Sequence, residues 1–173
     1  MNDLMLTISG ADERLLRAFI ARRRTLGMVA MRLITKLGNP VVIIPLTLAL
    51  AFNADVQLSD GGAVAAFSLA CSHLVVHILK RHVSRPRPSL PVGMGWLIEP
   101  EDRFSFPSGH AAAGLSVALP LFMVLTGPLA AMVLVLGLLV GVSRCYLGVH
   151  YPCDVLAGWA LAGITVLGFS LVF

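Results

Sequence analysis

From residue 37 onward the chain is a succession of apolar runs, separated by short polar breaks and one long polar loop. The runs cover residues 37–54, 63–80, 108–126, 129–146 and 152–173. A helix rises about 1.5 Å per residue, so about 20 apolar residues cross a hydrocarbon core of about 30 Å. The runs therefore predict an all-α fold, a polytopic transmembrane helix bundle of about five spans. Composition agrees: 57% of the 173 residues are hydrophobic and 13% charged, against about 45–50% and about 25% in soluble domains. The mean hydropathy is +0.87. Pro40 and Pro45 interrupt the first run, Gly127-Pro128 makes a tight turn, and Pro152 suits a first helical position, where its missing N–H costs little.

Residues 1–36 differ from the rest. Leu15 and Phe19, like Leu16 and Ile20, stand four apart among Arg14, Arg17, Arg22, Arg23, Arg24, Arg32 and Lys36. That pattern predicts a basic amphipathic helix over residues 11–36, lying in the headgroup layer. Two parts are thus expected: an N-terminal interfacial segment at 1–36 and a transmembrane domain at 37–173. The first residues lack the basic and apolar regions of a signal peptide. The net charge of +4 accompanies no nucleic-acid motif, so nucleic acid is not an expected partner, and anionic lipid or phosphate is. Cys71, Cys145 and Cys153 are odd in number and do not have metal-site spacing.

Antiparallel helices bring certain ends together. The second run ends, the third begins, the fourth ends and the fifth begins on one side of the membrane. Those ends carry nearly all the unusual polar residues, which are costly at membrane depth. Lys80 and Arg87-Pro88 offer an ammonium and a planar guanidinium, a pair suited to a tetrahedral oxyanion. In Pro107-Ser108-Gly109-His110, Ser108 is placed to cap a helix, and Gly109 lets backbone approach an anion at the helix start. His110 falls in the first turn. In Ser143-Arg144 and His150-x3-Asp154, Arg144 adds a cation, and a carboxylate on one imidazole nitrogen of His150 would leave the other nucleophilic. Each cluster alone has a plainer reading, as flanking charge, a capped helix or a surface ion pair. Together they suit phosphoryl transfer. Lys80, Arg87, Arg144, Ser108 and Gly109 would hold the phosphate, His150 with Asp154 would attack, and His110 would protonate the departing oxygen and then activate water.

Lys80-x6-Arg87-Pro88, Pro107-Ser108-Gly109-His110 and Ser143-Arg144-x5-His150-x3-Asp154 resemble, in order and spacing, the three-part pattern of the type 2 phosphatidic acid phosphatases. That superfamily includes bacterial membrane lipid phosphatases and vanadium haloperoxidases. The resemblance implies a lipid phosphatase that needs no metal or other cofactor, with His150 as nucleophile, His110 as acid and base, and a phosphohistidine intermediate. The expected substrate is a lipid phosphomonoester or diphosphate: phosphatidic acid, phosphatidylglycerophosphate or a polyprenyl phosphate or diphosphate. A transferase acting between lipids and a non-hydrolytic lipid-binding or transport protein are the rival readings.

Other polar residues take plainer roles. Arg81, Arg85 and Arg103 read as flanking charge. Glu99, Glu101 and Asp102 read as a solvated loop, and His73, His77 and Lys80 as a polar stripe leading to the site. Trp96 reads as an interface anchor, and Gly93-Met94-Gly95 is too short for a nucleotide-binding loop. The chain should reside in a cell (inner) membrane. The positive-inside rule, through the seven cations before residue 37, turns the active face to the cytoplasm. The family resemblance implies an extracytoplasmic site. Nothing in the pattern specifies an oligomeric state.

Overall fold

The computed structural model describes residues 3–90 and 95–171, with side chains from residue 10 onward. Gly93 and Met94 of the short glycine run, and the last two residues of the fifth apolar run, lie outside the described residues. The described residues form α1 (Asp3–Ala21), α2 (Thr25–Lys36), α3 (Pro40–Ala51), α4 (Val56–Val83), α5 (Gly109–Val124), α6 (Gly127–Tyr146) and α7 (Pro152–Ser170). Among them the only extended pairing is a single bridge between Pro86 and Phe104.

Helices α4, α6 and α7 are long and apolar enough to cross a membrane. Helix α5 is apolar but has only 16 residues. Helices α2 and α3 reach crossing length only as a pair, bent by 52° at their junction. The bundle of about five apolar segments is therefore present, and its first member differs from the sequence expectation. Helix α3 has 12 residues, about 18 Å at the usual rise, too short for the hydrocarbon core. Its start is set locally: Asn39 Oδ1 accepts from Val41 N–H at 3.0 Å, and Pro40 occupies the first turn.

The basic N-terminal helix is also two helices rather than one. Arg24 is extended (φ −126°, ψ 150°), and its N–H donates to Tyr146 Oη at 2.8 Å. Arg23 Nε donates to the Tyr146 carbonyl, also at 2.8 Å. The arginine run thus breaks the helix where it meets the end of α6.

Helix α5 is the centre of the bundle, packed against α4, α6 and α7. Every residue from His110 to Ala118 is buried. Its small side chains allow this. A Cβ on Gly114 would lie 2.9 Å from the Gly137 carbonyl of α6. A Cβ on Gly158 of α7 would lie 2.5 Å from the Ser108 carbonyl. Close backbone approach through small residues is how helices associate where lipid supplies no hydrophobic drive. One core cluster joins Leu16 and Ile20 of α1 to Ala111, Cys145, Tyr151 and Val155. Another joins Ile43, Leu69, Ala113 and Leu121 deeper in the bundle. Leu74, Ile78, Leu156, Ile164 and Leu167 stay exposed on the outer faces, where lipid would meet them.

Candidate active site

The end of α4, the start of α5 and the turn before α7 enclose a cavity of about 190 Å³. Lys80, Arg87, His110, His150 and Gly109 line it, with His73, His77, Glu101 and Asp102. Residues from all three sequence clusters therefore meet in one place. The stripe of His73, His77 and Lys80 faces this cavity, as its helical spacing indicated.

Arg87 is the organising cation. The loop that carries it folds back on itself: Ser105 N–H donates to the Arg85 carbonyl at 2.9 Å, and Ser105 Oγ to the Pro86 carbonyl at 2.9 Å. Trp96 Nε1 donates to the Pro88 carbonyl at 3.0 Å, so this indole braces the loop, although it is also half exposed. Arg87 Nη1 donates to the Val149 carbonyl at 2.8 Å and to His150 Nε2 at 3.0 Å. A guanidinium has no acceptor, so His150 Nε2 must be the acceptor and carry a lone pair. The ring proton then belongs on Nδ1. That nitrogen faces Asp154 Oδ2 at 3.6 Å, longer than a hydrogen bond. The His150–Asp154 pairing read from the sequence is present in direction but not at bonding length.

Burial holds His150 well below the usual imidazole pKa, and the charges of Arg144, Arg87 and Lys80 push the same way. The ring is therefore neutral at physiological pH, as a nitrogen nucleophile requires.

The other motif residues are distributed as follows. Ser108 is buried one residue behind Gly109. Its hydroxyl accepts from Ala111 N–H at 3.4 Å, and its N–H donates to the Asp154 carbonyl at 2.9 Å. It acts as the expected cap and ties α5 to α7, but with its hydroxyl engaged in the cap and fully buried it does not line the cavity as a phosphate ligand was expected to. Arg144 is almost wholly buried and donates to Thr35 Oγ1 at 2.8 Å. It lines a neighbouring cavity of about 490 Å³ with Arg32, Lys36 and Asn39. The two cavities share Glu101 and His110. Nε of Arg144 has no partner among the described residues.

Two carboxylates of the long loop sit among the cations instead of in solvent. Asp102 pairs with Lys80 through Oδ2 and with Arg87 Nη2 through Oδ1, the latter at 2.9 Å. Glu101 Oε1 lies 3.2 Å from His110 Nε2. Burial would raise the Asp102 pKa, but the Lys80 hydrogen bond and charge, followed by those of Arg87, outweigh it and hold the carboxyl below its usual range. The carboxylate oxygens occupy positions that suit phosphate oxygens.

Sequence reasoning also missed Arg85, which bridges Asp12 Oδ2 and Asp154 Oδ1 at 2.7 Å each. Asp12 carried a signal: it lies on the Leu16–Ile20 stripe of α1, where an acidic residue is out of place. Arg85 carried none, being one arginine of several in a basic loop.

An apolar groove of about 290 Å³ runs between α3 and α4, lined by Ile43, Ile44, Leu48, Ala66, Leu69 and Ala70. It shares Pro40 and His73 with the polar cavity. The arrangement offers a cationic cradle, one imidazole whose Nε2 lone pair accepts from Arg87, a second imidazole beside a carboxylate, and an apolar groove next to them.

The chain is similar to known proteins. Residues 61–173 match the family model of the PAP2 superfamily. The chain is 30% identical over 165 residues to phosphatidylglycerophosphatase B of Bacillus subtilis, covering 89% of this chain and 79% of that protein. It is 33% identical over 139 residues to an undecaprenyl-diphosphatase of Sulfolobus acidocaldarius, covering 76% of this chain. The match spans 63% of that relative's length. The crystal structure of LpxE from Aquifex aeolicus superposes with a TM-score of 0.80 at 26% identity, over 92% of this chain and 94% of that one. By fold, motif order and sequence, this membrane protein belongs to the PAP2 superfamily.

Proposed function

We propose that the protein is a membrane lipid phosphatase that works through a phosphohistidine at His150. The observation that carries the reading is the hydrogen bond from Arg87 to His150 Nε2, which leaves a neutral, lone-pair-bearing imidazole inside a cationic cavity. Lys80, Arg87 and the backbone at Gly109 would bind the phosphoryl oxygens, with Arg144 acting from the adjoining cavity. His150 Nε2 forms a bond to phosphorus while the bond from phosphorus to the lipid oxygen breaks. The electron pair stays on that oxygen, which takes the proton from His110. His110 then accepts a proton from water as the water oxygen attacks phosphorus. The N–P bond breaks and its pair returns to Nε2. The sum is lipid phosphate plus water giving lipid alcohol plus inorganic phosphate, or lipid monophosphate plus inorganic phosphate from a diphosphate.

The apolar groove between α3 and α4 supports a substrate whose hydrocarbon chain lies in the bilayer while its headgroup reaches the cavity. The substrate class is a glycerophospholipid or polyprenyl phosphate or diphosphate. Leu15, Leu26, Val29 and Leu33 stay exposed on α1 and α2 beside basic residues, which supports an interfacial position for residues 1–36. Those cations lie at the active-site end, and by charge that end faces the cytoplasm. Impermeant thiol labelling of single cysteines in the 84–106 loop, in intact cells and inverted vesicles, tests the orientation.

Function is tested by phosphate release from a panel of lipid phosphates in detergent micelles. Wild-type protein should release phosphate from at least one of them and His150→Ala from none. Normal turnover by His150→Ala would overturn the mechanism.

A further inference from the structure

Arg85 lies outside the cavity, yet it is the charged group most closely engaged with Asp154. Its side chain is 18% exposed, and both carboxylates it bridges are fully enclosed. Nη1 donates to Asp154 Oδ1 and Nη2 to Asp12 Oδ2, each at 2.7 Å, and the guanidinium stacks on the Tyr151 ring at 4.1 Å. Burial alone would lower the Arg85 pKa, but the two carboxylates outweigh it and raise it.

Each oxygen of the two carboxylates has a hydrogen-bond partner. Asp154 Oδ1 takes Arg85, and Oδ2 accepts from Tyr151 N–H at 2.8 Å. Asp12 Oδ2 takes Arg85, and Oδ1 accepts from Cys153 N–H at 2.9 Å, one of the free donors at the start of α7. With both its oxygens held, the Asp154 carboxylate cannot turn, and its Oδ2 edge stays directed at His150 Nδ1. Without Arg85, two buried carboxylates would share one pocket with no cation between them, an arrangement that drives rearrangement or neutralisation.

We infer that Arg85 is a positioning residue for the catalytic dyad, and that Asp12 makes α1 part of the active-site frame. Arg85 holds the Asp154 carboxylate 3.6 Å from His150 Nδ1, so that it faces the ring proton there while Nε2 keeps the lone pair that bonds to phosphorus. When Nε2 bonds to phosphorus the ring becomes cationic, and the same fixed carboxylate faces that charge. Helix α1 thereby bears on chemistry through one buried aspartate, although none of its described side chains lines the cavity. The inference rests on His150 as nucleophile.

The test measures steady-state kinetics, inhibition by vanadate and the rate of phosphoenzyme formation for Arg85→Gln, Arg85→Lys, Asp12→Asn and the double variant Asp12→Asn/Arg85→Gln. Arg85→Gln should lower kcat and the phosphorylation rate about 100-fold, the scale of a misplaced catalytic group. KM and the vanadate inhibition constant should stay within about threefold, because the cradle of Lys80 and Arg87 is untouched. Lysine keeps the charge but cannot fork between two carboxylates, so Arg85→Lys should regain less than about tenfold. Asp12→Asn should lower kcat about tenfold with KM unchanged, and the double variant should be no worse than Arg85→Gln alone. If Arg85→Gln fails to fold, Asp12→Asn and Arg85→Lys decide by the same split between kcat and KM. Wild-type phosphorylation at His150 together with equally fast phosphorylation of the Arg85 variants would overturn this inference alone. A parallel loss of vanadate binding would reduce Arg85 to a structural brace and overturn it too. A wild-type protein that turns over without any phosphohistidine would instead overturn the mechanism beneath it.

Discussion

Replacing Asp102 by Asn should make the protein bind phosphate more tightly, although it removes two ion pairs from the site. Asp102 occupies both Lys80 and Arg87, so an incoming phosphate must first displace it. The Asp102 side chain is 44% exposed, and ion pairs open to solvent contribute about 0.2–1 kcal/mol each. Two such pairs make the displacement cost about 0.5–2 kcal/mol, or about two- to thirtyfold in affinity at about 1.4 kcal/mol per decade. The same cations hold the Asp102 pKa below its usual value of about 3.9, so the carboxylate stays ionised between about pH 5 and 8. Only the substitution releases it in that range. The assay is competitive inhibition of turnover by inorganic phosphate and vanadate, measured at one ionic strength because the effect is electrostatic. The inhibition constants of Asp102→Asn should fall by the stated factor. Unchanged or weaker binding would show that Asp102 steadies the cations for phosphate and does not compete with it.

Two further outcomes follow from the packing and electrostatics. His150 is kept neutral by burial and neighbouring cations, whereas in the unfolded chain it takes a proton below about pH 6.5. Its contribution to stability is therefore complete above that pH and is lost as pH falls toward the depressed folded-state value, at up to about 1.4 kcal/mol per pH unit. The denaturation midpoint in detergent should drop between about pH 6.5 and 5, and less steeply in His150→Gln, while equal slopes would refute the assignment. In Gly158→Ala the new methyl would lie 2.5 Å from the Ser108 carbonyl and 3.1 Å from Ala112 N, both backbone atoms of the α5 start. Overpacking of this kind costs about 1–3 kcal/mol. Thermal inactivation should come earlier and kcat should fall, whereas wild-type values for both would mean that α5 and α7 separate freely.

The sequence exposes what depends on short-range pattern. The apolar runs located α4, α6 and α7, because hydropathy over a membrane thickness needs no tertiary context. Ser108 and Pro152 marked helix starts through capping chemistry that acts within one turn. The spacing of Lys80, Arg87, His110 and His150 was enough to bring residues from three segments to one cavity, once the helices were taken as antiparallel. The losses were long-range or ambiguous. The break at Arg22–Arg24 answers to Tyr146, more than a hundred residues away, and nothing local marks it. Arg85 looked like flanking charge, because its partners come from opposite ends of the chain. Glu101 and Asp102 looked solvated, because a polar loop gives no sign that it folds over a cationic cavity. Arg144 was placed in the phosphate cradle by its motif, whereas its side chain reaches Thr35 of α2 and the adjoining cavity.

The covalent step is where the account is most exposed. The measurement is trapping with a phosphorus-labelled aryl phosphate, whose leaving group departs without a proton, followed by denaturation at alkaline pH, where an N–P bond survives. His110→Gln should accumulate label approaching one phosphate per chain, because it attacks normally but cannot activate water. The label should be acid-labile and map to the peptide containing His150, and His150→Gln should carry none. Label on another residue, or rapid wild-type turnover with no label trapped in His110→Gln, would contradict the account.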